Sequence, residues 1–310
     1  MARVLVTGAN GFVGAAVCRH LKARGWTVRG SLRRAGGALP EGVEAVETGD
    51  IDGNSDWSAA LAGVDAVVHC AARVHVLRET SANPLADFRR VNVAASRRLA
   101  EQAQAAGVGH FVFLSSIGAV RAESEPAAAN PYQVSKLEAE AALNELAGSG
   151  KMVLVMLRPP LIYGPGAPGN FARLAKLVVA GRPLPLANIN NARSLLFVGN
   201  LTAAIEAALS CSISPKGPLA LADGTKLSTP DLVRRIGEAC GRPARLFRFP
   251  SGLLQLGGRI LGRGPAVAAL TGNLTVDNTQ ICRTLGWSPD YTVEQGLAIT
   301  FREQGQCQST

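Results

Sequence analysis

Short runs of aliphatic and β-branched residues at positions 4–7, 27–29, 43–46, 66–69, 111–114 and 152–157 alternate with stretches whose apolar residues recur every three or four positions. The runs predict strands. The stretches predict helices from Phe12 onward and over about 56–61, 85–106 and 131–147. Strand and helix in steady succession imply a parallel sheet with crossover helices, so the expected fold class is α/β, a doubly wound parallel sheet of Rossmann type. Beyond Arg158-Pro159-Pro160 the pattern breaks, because Pro165, Pro168, Pro183 and Pro185 with neighbouring glycines divide the chain into loops around one helix near 171–180. Strand and then helix return at 194–198 and 201–209. The expected organisation is therefore discontinuous: residues 1–160 plus about 194–222 form the first domain, and about 161–193 plus 223–310 form a smaller C-terminal α/β domain.

Composition narrows this little. A chain of 310 residues with 47% hydrophobic and 18% charged residues can bury a full core. The formal net charge of +9 admits an anionic partner of several kinds: nucleic acid, a membrane surface or a phosphorylated small molecule. Apart from Arg33-Arg34 and a sprinkle between Arg242 and Arg248 the basic residues are dispersed and form no tail, so no nucleic-acid partner is expected. Cys18, Cys70, Cys211, Cys240, Cys282 and Cys307 stand far apart without CxxC or ligand-like spacing to histidine, which reads as reduced thiols and no metal. A strand pattern begins at Arg3 and no apolar run is long enough to span a bilayer; a cytoplasmic location without membrane insertion is expected.

The segment Thr7-Gly8-Ala9-Asn10-Gly11-Phe12-Val13-Gly14 follows the first strand and opens the first helix. In that context the glycines read as a dinucleotide-binding turn, with Asn10, Phe12 and Val13 beside them. Gly8 permits the tight turn, Gly11 lets backbone approach a pyrophosphate, Gly14 lets the helix pack on the sheet, and the helix N-terminus offers amides and a positive dipole. Ser115 and Ser116 end the strand at 111–114, and Tyr132 and Lys136 lie one turn apart at the start of the next predicted helix. An ammonium on the same helical face as a phenol can lower its pKa from about 10 and make it an acid/base near neutrality. A serine hydroxyl opposite can hydrogen-bond a substrate oxygen.

This GxxGxxG turn followed by Ser116, Tyr132 and Lys136 resembles the extended short-chain dehydrogenases/reductases, the NAD-dependent epimerase/dehydratase family, over nearly the whole chain. The resemblance implies an NAD(P)-binding first domain, a substrate-binding second domain, and Ser116 rather than Ser115 in the Ser/Tyr/Lys triad. It further implies cofactor contacts from Asp50 and Ile51 at the adenine, from Ala71 and Ala72 after the fourth strand, and from Asn92, Tyr132, Lys136 and Pro159, with Asn92 in the long helix supporting the active-site backbone. Asp50 also reads as an ordinary loop aspartate, and His69 as a structural histidine rather than a metal ligand. Where NAD-preferring proteins carry a carboxylate after the second strand, this chain has Gly30-Ser31-Leu32-Arg33-Arg34, and an arginine there can pair with a 2′-phosphate. NADP(H) is therefore favoured, with NAD(H) as the alternative.

Within the family the chain is most similar to nucleotide-sugar 4-epimerases and 4-ketoreductases. That likeness implies substrate contacts from Arg73, Ser116, Tyr132, Asn170 and Arg193, the last as a clamp on the diphosphate, and Leu285-Gly286-Trp287 as a C-terminal mark. Arg193 also reads as a loop charge and Trp287 as core. The expected reaction is reduction of a UDP-4-keto-6-deoxy-N-acetylhexosamine by NADPH, as in the quinovosamine-forming reductases. The alternative is a UDP-hexose 4-epimerase with tightly held NAD; a non-catalytic NADP(H) sensor stands behind both. A UDP-sugar or another nucleotide-diphosphate sugar is the partner implied, together with a homodimer.

Overall fold

The first strand, β1 (Arg3–Thr7), is apolar along its length because both its faces are covered: Val4, Leu5 and Val6 are fully buried. The chain continues as α1 (Phe12–Ala23), β2 (Thr27–Leu32), β3 (Glu44–Glu47), α2 (Ser58–Leu61), β4 (Ala66–His69), α3 (Pro84–Arg89), α4 (Ala95–Ala105), β5 (His110–Leu114), α5 (Gly118–Ser124), α6 (Pro131–Ala147) and β6 (Val153–Arg158). Then follow β7 (Leu161–Tyr163), α7 (Gly169–Val179), β8 (Arg193–Phe197), α8 (Val198–Leu209), β9 (Leu219–Ala220), β10 (Lys226–Leu227) and five helices: α9 (Thr229–Ala239), α10 (Ser251–Ile260), α11 (Gly264–Thr271), α12 (Thr279–Leu285) and α13 (Val293–Gln306). This computed structural model describes residues 2–34, 36–74, 81–147, 151–260, 262 and 264–306; Cys307 and the tail beyond it, where disorder is expected from composition, lie outside the described residues.

Seven strands pair in the order β3-β2-β1-β4-β5-β6-β9, all parallel, which is the doubly wound sheet expected. The winding reverses between β1 and β4, so the C-terminal ends of these two strands flank the crevice where such sheets take their ligands. Under the sheet Leu5, Trp57, Leu99, Phe111, Phe113 and Leu143 form one buried cluster that fixes those strand ends.

Two expectations change. The helix expected unbroken over 85–106 contains a π turn at Arg90–Ala94 between α3 and α4. And β8, expected to return to the first domain, pairs instead with β7 and β10 in a separate three-stranded sheet. Its run Ser194-Leu195-Leu196-Phe197 is buried throughout, and apolar character says that a strand is covered without saying by which sheet. The chain thus forms two compact units, one of Met1–Pro159, Leu201–Leu221 and Thr279–Ser288, the other of Pro160–Asn200, Ala222–Asn278 and Pro289–Thr310.

Candidate active site

At the end of β1, Gly8 turns the chain with φ +65°, and a Cβ there would stand 3.0 Å from the Ala71 amide nitrogen at the end of β4. A Cβ on Gly14 would overlap the Gly8 carbonyl, so α1 can pack this close to the strand only as glycine. Helix α1 begins after Gly11 with no side-chain cap, leaving its first amides facing the turn. Crowded backbone, open helix N-terminus and the topological crevice together fit a dinucleotide pyrophosphate.

Beside the turn runs a buried chain of hydrogen bonds. The Ala71 amide donates to Thr7 Oγ1 at 3.0 Å, Thr7 Oγ1 lies 2.6 Å from His69 Nδ1, His69 Nε2 lies 2.9 Å from Ser96 Oγ, and Ser96 Oγ donates to the Asn92 carbonyl at 2.7 Å. Because the one Ser96 proton goes to Asn92, His69 must donate from Nε2 and accept at Nδ1 from Thr7. Burial, with the nearby Lys136 charge, pushes the His69 pKa down to about 3, so the ring is neutral. His69 is thus a structural joint, and no group of residues that could hold a metal occurs among the described residues.

Asn92, at the centre of the π turn, accepts from the Arg73 amide at 2.8 Å and donates to the Arg73 carbonyl at 3.0 Å and to Ser135 Oγ at 2.9 Å. Ser135 in turn donates to the Tyr132 carbonyl at 2.8 Å. The π turn carries one residue more than an α turn, and such bulges recur where a side chain must be aimed.

The three polar groups of interest meet at the C-terminal end of β5. The Tyr132 hydroxyl is hydrogen-bonded to Ser116, whose Oγ also accepts from the Gly118 amide at 3.1 Å. Lys136 is buried; its Nζ donates to the Leu114 carbonyl at 2.7 Å and lies 4.5 Å above the Phe113 ring. Burial lowers the Lys136 pKa to about 8, opposed by Cys70 and Glu140. Burial raises the Tyr132 phenol and the Ser116 bond lowers it. The expected depression of that phenol by Lys136 is not what sets it here, since the ammonium is directed at Leu114.

Ser115 points elsewhere: its hydroxyl donates to Glu140, which Arg158 holds in two bonds of 2.9 and 2.5 Å. Arg158 is thus the partner of a buried carboxylate. Glu140 follows Lys136 by one helical turn, a spacing that could have signalled it. Thr7, Ser96 and Ser135 carry no such signal, being common residues beside predicted elements.

Arg33 Nε forms an ion pair of 3.0 Å with Asp50, both side chains 75% exposed, so the two residues read separately as 2′-phosphate and adenine contacts face each other. Arg34 is exposed. Arg73 lies 5.2 Å over the Phe88 ring, which meets the Tyr132 ring edge-on at 6.2 Å. Ile51, Ala71 and Ala72 are half-buried in the first unit, and the Pro159 carbonyl accepts from the Ile117 amide at 2.9 Å. Asn170 and Arg193 belong to the second unit: Asn170 is exposed at the start of α7, while Arg193 is half-buried and donates to the Gly272 carbonyl at 2.9 Å. Trp287 is buried in the core of the first unit.

Residues 4–217 match the model of the NAD dependent epimerase/dehydratase family. The chain is 36% identical to the UDP-glucose 4-epimerase of Vibrio cholerae, over 96% of this chain and 94% of that one. It is 28% identical to a 3-beta-hydroxysteroid dehydrogenase of Mycolicibacterium neoaurum, over 96% and 90%. Among solved structures it superposes with a TM-score of 0.75 on MoeE5 in complex with UDP-glucuronic acid and NAD, at 24% identity, covering 99% of this chain and all of that one. With its parallel sheet, glycine turn and Ser-Tyr-Lys cluster, the chain is an enzyme of the extended short-chain dehydrogenases/reductases and belongs to the NAD dependent epimerase/dehydratase family.

Proposed function

We propose that this enzyme inverts the configuration at C4 of a nucleotide-diphosphate hexose, with NAD held at the Gly8-Gly11-Gly14 turn. The observation that carries the reading is the end-to-end likeness to a UDP-glucose 4-epimerase at 36% identity, in a chain that keeps Ser116, Tyr132 and Lys136 together at one strand end. A bound nicotinamide supplies a site that accepts a hydride from a carbinol carbon and gives it back. The remaining chemistry belongs to the protein. As the phenolate, the Tyr132 oxygen takes the proton of the C4 hydroxyl on oxidation and, as the phenol, returns it on reduction, and the Ser116 hydroxyl donates to the same substrate oxygen. Lys136, anchored through its ammonium to the Leu114 carbonyl, binds the cofactor ribose. The Asn92-Ser135 bond positions the first turn of α6, which carries both. In the second unit, Arg193 and Asn170 bind the diphosphate.

A second reading, reduction of a nucleotide-diphosphate 4-keto sugar by NADPH, is favoured by Arg33-Arg34 and by the lack of a carboxylate at the end of β2. Incubation of the purified enzyme with UDP-glucose, or with UDP-N-acetylglucosamine, and no added reductant separates the two. Conversion to the 4-epimer is the expected result. Inertness under those conditions, with NADPH consumed on a UDP-4-keto sugar, would overturn the epimerase reading in favour of the reductase.

A further inference from the structure

Helix α10 presents an apolar face that nothing among the described residues covers. Leu253, Leu256 and Ile260 are 55%, 53% and 76% exposed. At about 100° per residue these positions fall within about 60° of one another around the helix. Gly258 lies on the opposite side and is buried; a Cβ there would stand 2.6 Å from Val267, so this glycine seats α10 on α11 and turns the leucine face outward. Of the nine large hydrophobic side chains exposed among the described residues, four, Phe247 and these three, lie between positions 247 and 260. Scattered exposed side chains need no explanation, but a cluster of this kind does.

The charge along the chain that carries this face is of one sign. Between Glu238 and Asp277 the sequence has Arg242, Arg245, Arg248, Arg259 and Arg263 and no aspartate or glutamate. Arg242, Arg245, Arg248 and Arg259 are exposed, and Arg259 borders the apolar face within α10 itself. An apolar stripe bordered by Arg259 and preceded by a segment of exposed arginines matches an anionic bilayer surface, where the stripe enters the boundary between headgroups and acyl chains and the arginines pair with phosphates. A second copy of the chain fits less well, since a symmetric contact through this face would bring arginine against arginine.

We propose that α10 and the segment before it dock the enzyme on membranes rich in anionic lipid, with Leu253, Leu256 and Ile260 inserted and Arg245, Arg248 and Arg259 on the headgroups. At ten residues α10 is too short to cross a bilayer, and no helix of the described chain is long and apolar enough to do so; the docking is in the plane of the surface. The test is sedimentation of the full chain with vesicles of phosphatidylglycerol and phosphatidylethanolamine, beside vesicles of phosphatidylcholine alone. Sedimentation with the first and not the second, weakening as salt is added, is the expected result. The triple variant L253S/L256S/I260S should lose roughly a hundredfold in vesicle affinity, and R245Q/R248Q/R259Q roughly tenfold or more, with unchanged circular dichroism. Absence of sedimentation with the anionic vesicles, equal sedimentation with neutral ones, or a triple serine variant that binds like the parent each overturns the proposal. So does a serine variant that elutes from gel filtration as a smaller species than the parent without lipid, because the face then covers a second copy.

Discussion

Asn92 Nδ2 donates to Ser135 Oγ at 2.9 Å, and that bond ties the π turn at Arg90–Ala94 to the helix that carries Tyr132 and Lys136. The same amide brackets the Arg73 backbone with two further bonds, so one buried side chain holds the loop after β4, the π turn and α6 in register. Ser135 passes the constraint to the Tyr132 carbonyl.

Replacing Asn92 by Ala strands the Arg73 amide and carbonyl and the Ser135 hydroxyl at once. At about 1 kcal/mol per bond, more where a buried partner is left unsatisfied, Asn92→Ala should cost about 2–4 kcal/mol of stability. Urea unfolding measures it, and a loss below about 1 kcal/mol would show that water replaces the amide. The fraction that stays folded should bind dinucleotide while turning over more slowly, because the turn at Gly8 does not depend on Asn92.

The glycine turn, the alternation of strand and helix and the Tyr132 and Lys136 pair were legible in the sequence because each rests on local spacing, while Ser116 rather than Ser115 came with the family resemblance. A turn needs glycine at fixed offsets, a parallel strand needs an unbroken apolar run, and two residues one turn apart share a helix face. Of the partners that hold the set, Asn92 came with the family resemblance and the others were not legible. Thr7, His69 and Ser96 meet only once β1, β4 and α4 are side by side, and Glu140 meets Arg158 across α6 and β6. The sheet to which β8 belongs was likewise hidden, since burial is written in the residues and pairing is not. Arg33 and Asp50 each had a reading of its own; their ion pair depends on the β2-β3 crossing.

The neutral His69 makes the fold acid-sensitive. Its folded pKa, pushed down by burial to about 3, lies below the ordinary value of about 6.5, so between those limits the unfolded chain binds the extra proton. Stability contributed by the neutral ring is present above about pH 6.5 and is lost as pH falls toward 3, by about 2 kcal/mol at pH 5. His69→Gln should be weaker than the parent at pH 7 yet lose about 2 kcal/mol less between pH 7 and pH 5, the carboxylates titrating alike in both. Parallel stability curves for the two proteins would contradict the assignment.

Tyr132→Phe removes the hydroxyl and little else, since the ring contact with Phe88 survives. Turnover should fall by roughly 10²-fold or more while dinucleotide affinity stays within about a factor of three of the parent. Ser116→Ala should fall in the same sense by a smaller factor, and Ser115→Ala should act on stability instead, because its hydroxyl serves Glu140. Rapid-quench measurement of substrate interconversion, beside equilibrium titration of the cofactor, distinguishes these outcomes. Full activity in Tyr132→Phe would remove the phenol from the chemistry.

The exposed ion pair of Arg33 and Asp50 is expected to bear on which dinucleotide is preferred. With the Asp50 carboxylate 3.0 Å from its Nε, Arg33 meets an incoming 2′-phosphate already neutralised, and the phosphate must compete with that carboxylate. The expected effect of this competition is weaker binding of NADP than Arg33 alone would give. Asp50→Asn keeps a carbonyl able to accept from an adenine amino group but removes the competing charge. Affinity for NADP should then rise roughly three- to tenfold relative to NAD, most at low ionic strength because both side chains are exposed. Arg33→Ser should move the ratio the other way, and Arg33→Ser combined with Asp50→Asn should behave like Arg33→Ser alone, since Asp50 acts through Arg33. Titration of the four proteins with both dinucleotides completes a double-mutant cycle. Additive effects would show that the two side chains act on the cofactor separately, one at the ribose and the other at the adenine.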